Sequence, residues 1–276
     1  MPTFEDAGPF SDVEIDDTRL ASAPLAKVLT QLRFPGALGV LTGDRRVGSI
    51  AEALADAGFP LFEEGRQMNL QITPEGVRTH EGARLWTFQS AERAWQVTLT
   101  SEFVTLETTQ YGHRNDMVER VEKLVDALGQ VVNIPSVGRV GYRYVNRVEN
   151  ATRDDCRVLL RREFHAGLAV PGDGAMFTTV SEALYSLGHG STLEGVRDGL
   201  LARWGALQPG QVLEPSIPPV ASTSLVLDID AFRHVDVAFE SNAIANHVTE
   251  MSVRAYRFFR WSVTPEFLTR FGAAPK

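Results

Sequence analysis

Along the first half of the chain, apolar positions recur with a period of two in some stretches and with helical spacing in others. Residues 28–34 alternate Val28, Thr30, Leu32 and Phe34 with Leu29, Gln31 and Arg33 and run into Pro35-Gly36, predicting a strand that ends in a turn. Ser49 and Glu52 form a capping-box pair, and Ile50, Leu54 and Ala57 continue as a short helix stopped by Gly58. Residues 67–73, 85–90, 94–100 and 103–111 alternate again, predicting a strand, a hairpin carrying Trp86, Phe88, Trp95, Val97 and Leu99, and a further antiparallel strand. Residues 115–128 carry Val118, Val121, Leu124, Val125 and Leu128 as one stripe, with Asp116 and Glu119 as a capping box and Gly129 as C-cap.

The clearest period-two stretch is residues 137–148. It places Val140, Tyr142, Tyr144, Asn146 and Val148 on one face, and Arg139, Gly141, Arg143, Val145 and Arg147 on the other. The second half of the chain is less regular. Residues 156–170 begin as a strand through Val158, Leu160 and Phe164 and end in the loop 171–174. Ser191 and Glu194 open a helix through Leu193, Val196, Leu200 and Trp204 that Gly205 stops, although Gly195 and Gly199 weaken it. Residues 208–223 hold four prolines and form a loop, and residues 224–232 form a strand. A long helix then starts near Ser241 on a stripe of Ile244, Val248, Met251, Ala255 and Phe258, and Thr264-Pro265-Glu266 restarts a final short turn.

Hairpins mixed with helices predict an α+β fold, a mostly antiparallel sheet or sheets with helices packed on one face. A strand followed by a long helix occurs at 102–128 and again at 225–259, which points to two related subdomains, 23–150 and 151–276, behind a flexible acidic arm at 1–22 pinned by Phe4, Phe10 or Val13. At 276 residues the chain can bury a substantial core without staples. The net charge of −8 disfavours nucleic acid and anionic lipid as partners unless a local basic patch concentrates the field. A single cysteine, Cys156, excludes an internal disulfide and thiolate-built zinc sites. The acidic start and the absence of a long apolar run predict a cytoplasmic protein without a membrane span.

Three segments together carry a resemblance: P-L-A-K-V-L-T-Q-L-R-F-P at residues 24–35, W-T-F-Q-S at 86–90 and G-R-V-G-Y-R-Y-V-N-R-V at 138–148. L-V-L-D-I-D-A-F at 225–232 and S-V-T-P-E-F-L at 262–268 extend it over most of the chain. The sequence resembles a sporadically distributed bacterial family of uncharacterised function with a placeholder name. The resemblance implies no catalytic residues. Scattered occurrence suits genes that travel with defence, antitoxin or immunity functions.

Candidate chemistry is sparse. Arg139, Arg143 and Arg147 are spaced about 13 Å apart along their strand and could hold an anion such as a nucleotide, with Tyr142 and Asn146 beside them, or could pair with carboxylates such as Glu102 or Glu107 across a solvated sheet. Gly43 to Ser49 spaces glycines like a phosphate loop but lacks its lysine. Asp228 and Asp230 share a strand face that could hold a cation or feed a turn. The histidines show no metal-ligand spacing. Arg254, Arg257, Phe259 and Trp261 have the composition of a partner surface, or of core with a basic edge. The resulting expectation leans away from an enzyme and requires no cofactor or metal. It is a protein-interaction or regulatory module with a protein partner, the alternative being a binder or processor of an anionic small molecule.

Overall fold

The structure, a computed structural model, describes residues 4–41, 46–73, 76–165, 178–188, 195–213 and 217–273, with the side chains of Glu5 and of 67–73 and 76–83 excepted. The helices are α1 (Phe4–Ala7), α2 (Val47–Asp56), α3 (Arg114–Val131), α4 (Arg153–Leu159), α5 (Ser241–Ser262) and α6 (Pro265–Arg270). The strands are β1 (Leu25–Arg33), β2 (Leu61–Thr73), β3 (Gly76–Gln89), β4 (Trp95–Leu99), β5 (Phe103–Thr108), β6 (Ser136–Glu149), β7 (Thr179–Ser186), β8 (Asp198–Leu207) and β9 (Ser224–Ala238). The expected α+β class holds: the strands form one antiparallel sheet in the order β2-β3-β4-β5-β1-β6-β9-β8-β7. No helix among the described residues is long and apolar enough to cross a membrane.

The chain divides into two compact units, one of residues 1–28, 142–232 and 250–276, the other of 29–141 and 233–249. The long elements β1, β6, β9 and α5 each begin in one unit and end in the other, so no boundary falls in a linker.

In the second unit β2 to β5 form a meander in which Trp86 pairs with Leu99 and Val97 with Leu106. Alternation buries Trp86, Phe88, Trp95, Val97 and Leu99 as the pattern predicts. Helix α3 buries Met117, Val121, Leu124, Val125 and Leu128, and α2 buries Ile50 and Leu54. Both helices start earlier than their capping boxes predict. The N-cap of α3 is His113, whose ring accepts from the Asn115 N–H, and Gly129 lies inside the helix rather than capping it. The N-cap of α2 is Arg46, and Ser49 instead turns its hydroxyl back to the Arg46 carbonyl.

In the first unit two predictions are overturned. Residues 153–159 are helix α4, followed by a 3₁₀ turn at Arg162–Phe164, and not the start of a strand. Thr152 caps the Asp155 N–H while Asp155 caps Thr152 in return, and helical spacing buries Cys156 and Leu159 together. This capping box outweighs a short alternation that three arginines interrupt. The helix expected to run on from Ser191 is replaced by strand β8. Its glycines belong to a sheet: a Cβ on Gly205 would lie 1.8 Å from the Thr179 carbonyl oxygen, and one on Gly199 would lie 2.6 Å from that of Tyr185. Residues 166–174 and 191–194 of these two predictions lie outside the described residues, as do 43–45 of the glycine-spaced loop. The stripe of α5 is as expected, with Ile244, Val248, Met251, Ala255 and Phe258 fully buried.

Candidate functional site

The arginines of β6 have internal partners. Arg143 donates from Nε and Nη2 to the two carboxylate oxygens of Asp228, 2.6 Å each, and both side chains are largely buried. This two-point fit uses the planar fork that would otherwise take a phosphate. It also commits Asp228 to an ion pair, and no group of His, Cys, Asp and Glu suited to a metal occurs among the described residues. Arg147 donates to the Pro218 carbonyl at 2.6 Å and lies 3.9 Å from Glu149. Arg139 sits half-buried on the same face. Glu102, expected as a partner of this face, pairs instead with Arg33 of β1 at 3.3 Å. On the other face Tyr142 is fully buried and packs against Tyr144 at 5.2 Å, and the buried Asn146 amide donates to the Leu227 carbonyl at 3.2 Å. Tyr142 and Asn146 therefore do not open onto the arginine side.

The arginines and aromatics at the end of α5 also turn inward. Arg254 pairs with Asp198 of β8. Arg257 donates to the carbonyls of Pro9, Ser11 and Val13, 3.3 Å to the first and 2.9 Å to the last, and stacks over Phe4. The neighbouring Tyr256 hydroxyl accepts from the Thr18 N–H at 2.6 Å and donates to the Asp16 carbonyl at 3.2 Å. Phe10 completes this clasp against Phe258 and Tyr185, at 5.9 and 5.2 Å. Phe259 stacks on Phe267, and Trp261 sits between Phe164 and the Arg161 guanidinium, 4.8 Å above its ring. Of the candidate partner surface, Arg257 thus holds the chain's own N-terminal segment, while Arg254, Phe259 and Trp261 are engaged by β8, α6 and the 3₁₀ turn.

Two other features bear on chemistry. An open cleft of about 550 Å³ lies between α3 and the start of α5, lined by Val125, Asp126, Gln130, Phe239, Glu240 and Asn242 among others. Its charges are acidic, and none of the candidate arginines reaches it. Cys156 is buried, and burial pushes its thiol up to about 11, so at neutral pH it is protonated and a poor nucleophile.

The residues that remain turned outward are ones the sequence did not single out. Strand β7 is a terminal strand of the sheet and pairs with β8 from Thr179 opposite Ala206 to Ser186 opposite Gly199. Its exposure alternates, with Tyr185 and Ala183 half-buried and Val180, Glu182 and Leu184 outward. Val180 is 51% and Leu184 53% exposed, the two most exposed large apolar residues among those described. Opposite Val180 stands Gly205, so no side chain on β8 shields it. Glu182 lies between the two and accepts from Arg203 at 2.5 Å. At the other end of the sheet, by contrast, Phe62 of β2 packs its ring on Phe88 at 5.1 Å. The only signal in the sequence was the alternation of T-V-S-E-A-L-Y-S at 179–186.

No protein-family model matches the chain, and no curated protein matches it at a significant level.

Proposed function

We propose that the protein is a non-enzymatic protein-interaction module that binds its partner along the outward face and outer edge of the β7–β8 hairpin. One observation carries this reading: two large apolar side chains, Val180 and Leu184, stand more than half exposed on one face of a terminal strand. Terminal strands are normally guarded by charge, proline or a bulge; β7 keeps one such charge, Glu182, yet exposes an apolar residue on either side of it, as a docking surface requires. The alternative, an anionic small molecule on the arginine face of β6, is the weaker reading, because the Arg143 fork is taken by Asp228. The resemblance to a scattered bacterial family directs the partner search first to defence and toxin-immunity proteins.

A photoreactive residue at position 184, in the cell, tests the reading against the same residue at the exposed loop position 92. A discrete protein adduct is expected from position 184 alone, and Val180→Asp should abolish it. Identical adducts from both positions, or none from 184, would refute the proposal.

A further inference from the structure

We infer that the β7 edge takes up an extended segment of a different protein in which a lysine or arginine is flanked, two positions to either side, by apolar residues. The inference rests on the interaction reading above and adds the chemistry of the partner. The main chain supplies the first half of the argument. Leu187 donates its N–H to Asp198, and the carbonyls of Tyr185 and Thr179 point at Gly199 and Gly205 of β8. Pairing groups alternate along an antiparallel strand, so the N–H and C=O of Val180, Glu182 and Leu184 point away from β8. The residues with outward main chain are therefore the ones with outward side chains. An added strand meets both at once, over a ladder of about 13 Å from Val180 to Leu184.

Charge supplies the second half. Side chains directly opposite one another across an added strand are neighbours, so this ladder reads apolar, acidic, apolar. Arg203 engages one oxygen of Glu182, whose side chain is 55% exposed, and a carboxylate has lone pairs for a second donor. A cation in the middle of the incoming segment meets that second oxygen, and the net charge of −8 draws it in.

The same residues argue against a second copy of this chain as occupant. In the antiparallel register where Val180 and Leu184 meet each other, Glu182 stands directly against its own copy. A shift of one pair sets the carboxylate against Val180 or Leu184, and a shift of two keeps only one apolar pair within Thr179–Ser186. Like charges directly opposite are unfavourable, so the edge is biased away from self-pairing.

The test uses the full-length protein and two labelled nine-residue peptides of alternating threonine and valine, with lysine or glutamate at the centre, followed by fluorescence polarisation. The lysine peptide should bind roughly fivefold tighter than the glutamate peptide, and Glu182→Lys should reverse the order. Because a lysine there would abut Arg203, Glu182→Gln is measured beside it and should erase the preference with an unchanged melting temperature. N-methylation of the peptide at alternate positions should abolish binding. Equal binding of the two peptides, absence of binding, or concentration-dependent dimerisation of the protein through β7 would overturn the inference. If position 184 still gives its cellular adduct when the peptides fail, only the partner chemistry falls; if the adduct is absent, both readings fall.

Discussion

The end of α5 and the edge of β7 belong to the same compact unit and make opposite use of their residues. Around α5 the composition is that of an interface: Arg254, Tyr256, Arg257, Phe259 and Trp261 within eight positions, the residue types that dominate binding hot spots. Each of them has an internal task. Arg257 alone takes three carbonyls of the N-terminal segment, recognising main chain as a partner protein's arginine would. Strand β7 has an ordinary composition, yet its apolar side chains face outward beside outward main chain. The chemistry of a side chain says what it can bind, whereas the fold decides whether that capacity is already spent. Arg143 makes the same point, its fork filled by Asp228.

The largest effect should come from the spent arginines. Arg143→Ala should cost about 3–5 kcal/mol in urea unfolding, because it leaves Asp228 buried and unpaired, while Arg143→Met combined with Asp228→Leu should recover most of the loss. A cost below about 1 kcal/mol would mean that the pair is solvated, and would reopen the arginine face as a binding surface. Arg257→Ala should cost about 2 kcal/mol and expose the bond after Phe10 to chymotrypsin, since its charged hydrogen bonds hold residues 9–13. Resistance to cleavage in that variant would show that the aromatic contacts of Phe10 suffice to hold the segment.

Asp155 gives a smaller, pH-dependent effect. Hydrogen bonds from the Thr152 hydroxyl and main chain, and then from Arg270, hold its carboxyl at about 2, below the usual 3.8. The unfolded chain takes up the proton first as the pH falls, so the stabilisation is complete above 3.8 and disappears as the pH falls through about 2. Asp155→Asn should therefore lower the melting temperature at pH 7, with the deficit narrowing as the pH falls through that window. A deficit independent of pH would assign the effect to capping geometry instead. Smallest of all, Val180→Ser and Leu184→Ser should each change folding stability by no more than about 0.5 kcal/mol while removing the cellular crosslink. A loss of several kcal/mol would mean that these side chains are packed within the protein, and would erase the contrast with α5.

Much of the fold was legible because its periodicity is strong. The meander from β3 to β5, strand β6 and the buried stripe of α5 all follow from apolar spacing over long runs. The misreadings fell where two local signals competed. Gly195 and Gly199 read as flaws in a helix and Gly205 as its stop, but Gly199 and Gly205 are needed where the β7 carbonyls come close, a contact with residues about 14 to 26 positions away. The alternation through Val158, Leu160 and Phe164 is outweighed by the four-residue Thr152–Asp155 cap on α4.

For the candidate site, the sequence by itself determined which side chains carry charge and which faces of β6 and α5 are apolar, because both are properties of a residue and its near neighbours. Only the tertiary structure decided that Asp228, 85 residues away, fills the fork of Arg143, and that residues 9–13 occupy Arg257 from 244 to 248 positions distant. It alone placed β7 at the end of the sheet, with Val180 and Leu184 uncovered. Exposure and pairing are sums over the whole chain, and no local pattern contains them.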